Sequence, residues 1–133
     1  MKTYMGSCHC KAVRFEADID LSMGTHKCNC SICVKTRQWV AIVKPSAFRL
    51  LAGEQELSDY QFGPKVEHHL FCRHCGVRSF HRIYVEQSGG EHVAVQVTAL
   101  DDIDPRELLS APIRYTDGRH NDWGKVPAET RHL

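Results

Sequence analysis

Seven cysteines fall in three tight clusters, Cys8-His9-Cys10, Cys28-Asn29-Cys30-Ser31-Ile32-Cys33 and Cys72-Arg73-His74-Cys75, and none lies outside them. Thiols separated by one or two residues can share a single tetrahedral metal ion, with sulfur–metal bonds of about 2.3 Å. Cysteines used only as small core hydrophobes have no reason to be grouped in this way. A disulfide framework fits badly, because seven thiols cannot all pair, a Cys-x-Cys bridge closes a strained ring, and no secretory leader opens the chain. Iron–sulfur clusters also use thiolates, but the one-residue gaps and the Gly76 that follows Cys72-x-x-Cys75 look more like zinc knuckles. The sequence reads as a zinc protein.

Counting then separates two sites. A closed structural zinc takes four protein ligands, whereas a reactive zinc keeps three and leaves one position for water or substrate. Seven divides as four plus three. Cys28, Cys30 and Cys33 are local enough to cap one ion alone, so the economical partition gives Cys8, Cys10, Cys72 and Cys75 to a structural zinc. Two Zn2+ per chain are expected, the three-Cys site being open to under-occupancy. Spacing leaves other partitions open: either cysteine pair could complete the triad, and His26, His74 or His81 could fill a fourth position. With nine histidines in the chain, each of these is expected in an ordinary strand or loop role.

Three thiolates on a divalent cation leave the unit net negative, so it polarises water less than a cage of neutral imidazoles does. That is a poor design for a hydrolase. The same softness favours a fourth sulfur, and a bound thiol becomes a thiolate able to act as nucleophile or leaving group. The chemistry expected is carbon–sulfur bond making or breaking, with Cys28, Cys30 and Cys33 as the catalytic set. A thiol ligand that carried carboxylates would need cations. Lys35 and Arg37 are nearest in sequence, and Arg73 and Arg78 flank the third cluster, although each is expected to be solvated. Trp39 and Phe71 could wall the site but are expected in the core. No Ser-His-Asp or paired-carboxylate pattern is visible, and Gly89-Gly90 lacks the form of a phosphate loop.

The elements that must hold these residues are mostly strands. Alternation marks Lys11–Ala17 and Glu56–Phe62, and β-branched and aromatic residues mark Gln38–Val43. Phe48–Leu51, Val66–Phe71, Val77–Val85 and His92–Val97 complete the set, with Val93, Val95 and Val97 on one buried face. Met1–Met5 reads as a short lead, Ile19–Gly24 as a loop or weak strand, Pro45–Phe48 as a turn with Pro near its start, and Gly63-Pro64, Gln87–Gly90 and Asp117-Gly118 as turns. The one helix start is Asp104-Pro105-Arg106-Glu107, with Asp as cap and Pro at the first position, ending near Ser110 before Pro112.

A chain of 133 residues suits one domain, here 1–133. With 17 basic and 16 acidic residues, it lacks the footprint of a nucleic-acid binder or of a protein drawn to anionic membranes. No apolar run is long enough for a membrane helix. Free thiols and the missing leader point to the cytoplasm.

GSCHCKAVRFE, then CNCSICVK, then YQFGPKVEHHLFCRHCGVRSF, in this order and spacing, resemble the glutathione-dependent formaldehyde-activating enzyme family, whose members include the domain of centromere protein V. The tail DGRHNDWGKV is similar to the Trp-containing tail of that centromere-protein-like branch. The resemblance implies a mainly β fold with very little helix, a β-tent of two zinc-ribbon-like antiparallel layers. It implies a structural zinc on Cys8, Cys10, Cys72 and Cys75 and a catalytic zinc on Cys28, Cys30 and Cys33. It also implies a carbon–sulfur lyase that joins glutathione and formaldehyde into S-hydroxymethylglutathione. The alternative is a non-catalytic thiol carrier or a zinc-stabilised protein-interaction module, and the long basic extension expected for a cytoskeletal partner is not seen.

Overall fold

Side-chain alternation sets the first layer: Lys2–Ser7 turns Tyr4 inward and Met5 outward, and Arg14–Ile19 buries Phe15, Ala17 and Ile19 while Arg14 is exposed and Glu16 and Asp18 stay partly exposed. The computed structural model describes all residues, Met1–Leu133. Its strands are β1 (Lys2–Ser7), β2 (Arg14–Ile19), β3 (Thr25–Cys28), β4 (Val40–Val43), β5 (Phe48–Ala52), β6 (Leu57–Tyr60), β7 (His69–Cys72), β8 (Phe80–Val85), β9 (Gly90–Gln96) and β10 (Ile113–Thr116); its α-helices are α1 (Ser31–Thr36) and α2 (Pro105–Ser110). They form a three-stranded sheet in the order β1-β2-β5, a five-stranded sheet in the order β10-β3-β4-β9-β8, and the ribbon β6-β7. All pairings are antiparallel except β10 with β3.

The core lies between the two larger sheets. Phe15 and Phe48 from the first meet Phe80 from the second, with ring centroids 4.6–5.7 Å apart. Each such ring contributes about 1.5–3 kcal/mol by leaving water. Val93, Val95 and Val97 are wholly buried as expected, and so is Ala94, because β9 is hydrogen-bonded between β4 and β8 and covered on both faces. Helix α2 begins as its sequence dictates: the Asp104 carboxylate accepts from the Arg106 N–H at 2.8 Å, Pro105 opens the first turn, and Ser110 ends it. Its Glu107 side chain meets the buried Tyr4 hydroxyl and docks the helix on β1.

The mainly β architecture with little helix agrees with expectation, and several boundaries move. The Lys11–Ala17 strand starts only at Arg14, because Lys11 has φ of 64° in a turn closed by the Cys8 N–H on the Val13 carbonyl. The strand expected from Val66 starts only at His69, after Lys65 turns left-handed. Met1–Met5 is no mere lead but part of an edge strand, Leu21–Met23 is a 3-10 turn, and β3, β10 and α1 carry no strong local signal. Two of those three, β3 and α1, hold the triad.

Candidate metal centres

Two matched turns build the four-cysteine centre. In one, the Cys8 N–H donates to the Val13 carbonyl and the Val13 N–H points at Cys8 Sγ; in the other, the Cys72 N–H donates to the Val77 carbonyl and the His74 N–H points at Cys72 Sγ. Gly76, with φ of 77°, gives the second turn its left-handed corner, which a side chain would resist. The four Sγ atoms of Cys8, Cys10, Cys72 and Cys75 lie within 4.8 Å of one another. Cys8 to Cys10 is 3.7 Å and Cys10 to Cys72 is 3.6 Å. A tetrahedron with 2.3 Å bonds has edges of about 3.8 Å, so the donor set fits a tetrahedral ion and is far too open for disulfides. His74 is not a fifth member, since its Nε2 is 2.6 Å from the Glu56 carboxylate, which Arg73 also engages at 2.8 Å.

The second centre is local. Cys28 ends β3, Cys30 immediately precedes α1 and Cys33 sits in its first turn, bringing three Sγ atoms within 4.8 Å of one another. Cys28 and Cys33 are buried, while Cys30 is partly open. Crowding splits the acidities of these thiols. Hydrogen bonds from the Cys30 and Cys33 thiols hold Cys28 far below the ordinary thiol range, and Cys33 is driven far above it by Cys28 and Cys30. Three thiolates in this space repel one another unless a cation joins them, so this donor set too fits a metal ion. No fourth Cys, His, Asp or Glu donor belongs to the group. His81 is buried and stacked on His69 at 5.3 Å, and His26 is half-buried, with burial holding its pKa down.

Cys30 opens on a cavity of about 660 Å³ whose walls include Ile32, Val34, Lys35, Phe62, Glu67, Gly118, Arg119 and Trp123. The tail reaches it because β10 runs parallel to β3, setting Thr116 opposite Cys28. Asn29, buried between two triad cysteines, then fixes the next residues with both ends of its amide: Nδ2 donates to the Asp117 carboxylate at 2.9 Å and Oδ1 accepts the Arg119 N–H at 2.9 Å. Gly118 lies so close that a Cβ there would sit 2.8 Å from Cys28 Sγ.

Charge around the triad is mixed. Arg78 donates to His69 Nδ1 at 2.7 Å, to Thr36 Oγ1 at 2.8 Å and to Gln38 Oε1 at 3.1 Å, tying α1 to the turn after Cys75. Burial lowers its pKa, while the nearby Cys33, Cys30 and Glu67 favour its charge. Burial lifts the Glu67 carboxyl above the ordinary range, and the negative charge at Cys28 adds to that. Burial, and then Arg78, hold His69 below its usual value.

Among the cations named from sequence, Lys35 lines the cavity, Arg78 lies beside the triad, Arg73 is turned to Glu56, and the Arg37 guanidinium donates to the His132 carbonyl at 3.2 Å. Trp39 does not wall the site: its indole N–H donates to Thr25 Oγ1 at 2.8 Å and the Lys27 ammonium covers its ring at 4.7 Å. Phe71 pairs across from Ser58 in the β6-β7 ribbon. The aromatic residues on the cavity are Phe62 and Trp123, which, with Glu67, Arg119 and Asn29, sequence reasoning missed. Only Asn29, set between two candidate ligands, carried a local signal.

The family model described as glutathione-dependent formaldehyde-activating enzyme matches residues 3–116, a span that holds all seven cysteines. Among solved structures, the fold is similar to that of a Rhodobacter sphaeroides protein from structural genomics, with a TM-score of 0.70 and 32% identity, covering 83% of this chain and 99% of that one. With its cysteine groups arranged as metal donors and the match running through most of its length, this chain belongs to the glutathione-dependent formaldehyde-activating enzyme family.

Proposed function

We propose that the protein makes or breaks a carbon–sulfur bond between a small thiol such as glutathione and an aldehyde, at the open face of Cys28, Cys30 and Cys33. The observation that carries this reading is a group of three Sγ atoms with no fourth protein donor, opening through Cys30 onto a cavity. Cys8, Cys10, Cys72 and Cys75 would hold a structural zinc. A zinc ion held by the triad would supply a soft position at which a thiol is bound as thiolate. Lys35 and Arg119, on the cavity wall, offer ammonium and guanidinium groups to the carboxylates of a peptide thiol. Arg78 would offset the negative charge that Cys30 and Cys33 carry as thiolates on an ion. Glu67, on the cavity wall with a carboxyl lifted above the ordinary range by burial, is the proposed proton donor to the aldehyde oxygen. As sulfur bonds to the carbonyl carbon, the carbonyl electron pair moves to oxygen and takes the Glu67 proton, and the proton released by the thiol restores it.

The test is metal analysis combined with thiol uptake and turnover. Two zinc ions per chain, glutathione binding lost in a folded Cys30→Ser variant, and adduct formation above the spontaneous rate are expected. One zinc per chain, or uptake that survives Cys30→Ser, would refute the assignment. Uptake without turnover would make the protein a thiol carrier that uses the same site.

A further inference from the structure

Phe62 and Trp123 are held in place and yet left open to solvent on the cavity beside Cys30, 42% and 56% exposed respectively. The Phe62 ring stacks on His69 at 5.4 Å and 20°, His69 stacks in turn on the buried His81, and Arg78 fixes the His69 ring through Nδ1. Its loop is closed from within by Gln61, whose amide donates to the Lys65 and Glu67 carbonyls. Trp123 comes from the tail, outside the family-matched residues 3–116. Its indole N–H donates to Asn121 Oδ1 at 2.8 Å, and its ring lies over Gly118, where a Cβ would be 2.6 Å away. Single exposed apolar residues are ordinary on a protein surface. Two braced rings that arrive from separate segments on one cavity, next to the one triad thiol that is partly open, are not scattered in that sense.

We infer that the carbonyl partner of this site carries a flat apolar group, aromatic or conjugated, which rests against Phe62 and Trp123. The inference builds on the thiol chemistry proposed above and names its substrate class. Lys35 and Arg119 provide for the charged end of the thiol, so the apolar wall, extended by Ile32 and Val34, is left for the other partner. A one-carbon aldehyde adds only a hydroxymethyl group to sulfur and has nothing to set against two rings. The reaction balances as before: the sulfur–carbon bond forms, the carbonyl pair moves to oxygen, the thiol's proton is made good on that oxygen, and nothing is oxidised or reduced.

Stable thioethers test this at equilibrium. The zinc-loaded chain should bind S-benzylglutathione about tenfold more tightly than S-methylglutathione in calorimetry, the scale expected for one aromatic group packed against aromatic faces. That ratio should fall toward one in Phe62→Ala and in Trp123→Ala and be largely kept in Phe62→Leu and Trp123→Phe, which preserve bulk if the alanine variants fold poorly. A purely structural role would weaken both thioethers alike and leave the ratio unchanged. Equal affinity in the wild type, or an unchanged ratio in both alanine variants, would overturn the inference. Glutathione uptake by the cobalt-loaded triad, read by absorption, separates the two readings: uptake with a flat thioether ratio sinks only this one, and no uptake sinks both.

Discussion

Gly118→Ala tests how the tail meets the triad. The added Cβ would lie 2.8 Å from Cys28 Sγ and 2.6 Å from the Trp123 ring, whereas non-bonded carbon contacts settle at about 3.5–4.0 Å. Cys28 cannot give way, being only 7% exposed and at the end of β3, and the indole is tied through its N–H to Asn121. The methyl group must therefore lift residue 118 by roughly 1 Å. Its neighbours are tied down: Asp117 to the Asn29 amide at 2.9 Å and, through its N–H, to the Lys125 carbonyl at 2.9 Å, and Arg119 to Asn29 Oδ1 at 2.9 Å. A shift of that size takes at least one of these beyond hydrogen-bonding range. Overpacking of this kind costs about 1–3 kcal/mol, or roughly 4–12 °C in Tm for a chain of this size. Thermal melting of the zinc-loaded protein reads the loss, and a cobalt titration of the triad should show weaker binding. Gly124→Ala is the control, because nothing lies within 4 Å of a Cβ there. If the two variants melt together and bind cobalt equally, the tail does not lie on Cys28 as described.

Cys75→Ser should unfold the protein, because a structural zinc supplies on the order of 10 kcal/mol of apparent folding free energy, while Cys33→Ser should stay folded and lose thiol uptake; equal Tm for Cys75→Ser and wild type would contradict this. His81 is 3% exposed and its pKa is lowered well below 6.5 by burial, so below pH 6.5 the unfolded chain binds a proton that the folded chain refuses. Its contribution is complete above pH 6.5 and is lost as pH falls below it, by up to about 1.4 kcal/mol per pH unit; urea titrations should show a shallower fall in His81→Gln, and parallel curves would refute the assignment. Arg78→Met removes the positive charge beside Cys30 and Cys33 and should raise the pH midpoint of glutathione uptake by about one unit, with Arg78→Lys restoring part of it; an unmoved midpoint would count against the charge argument.

The cysteine groups were legible because metal chemistry constrains short spacings: Cys8-x-Cys10 and Cys72-x-x-Cys75 come together across 62 positions in sequence, and counting favoured, among the partitions that spacing left open, the division into four and three in which the Sγ atoms are grouped. Helix α2 was legible because its start is written in Asp104-Pro105. Helix α1 was not, since six residues with an uncapped start give no apolar period. Strands β3 and β10 are specified by pairing with each other, a non-local choice that four-residue segments do not announce. The cavity wall was hidden for the same reason. Trp123 becomes a wall residue only because β10 runs beside β3, and Phe62 only because His69 and Arg78 brace it.

The two cysteine groups differ less in their sulfur than in what their closure does to the chain. Cys8 and Cys10 follow β1, whereas Cys72 ends β7 and Cys75 lies in the turn after it, so an ion shared by all four would close a long loop between the first sheet and the β6-β7 ribbon. Holding such a loop shut would remove much freedom from the unfolded chain, which would make that centre a fold determinant. Cys28, Cys30 and Cys33 span six residues around one short helix and close no long loop. Their placement is already secured by β3, by the Asn29 clamp on the tail and by the Arg78 bonds to Thr36 and Gln38. The fold would not depend on an ion at this second group being fully coordinated, so a position on it could be given to an exchanging thiol without loosening the scaffold. The same separation leaves the cavity beside Cys30 to be walled by α1, the β6-β7 loop and the tail, none of which carries the four-cysteine group.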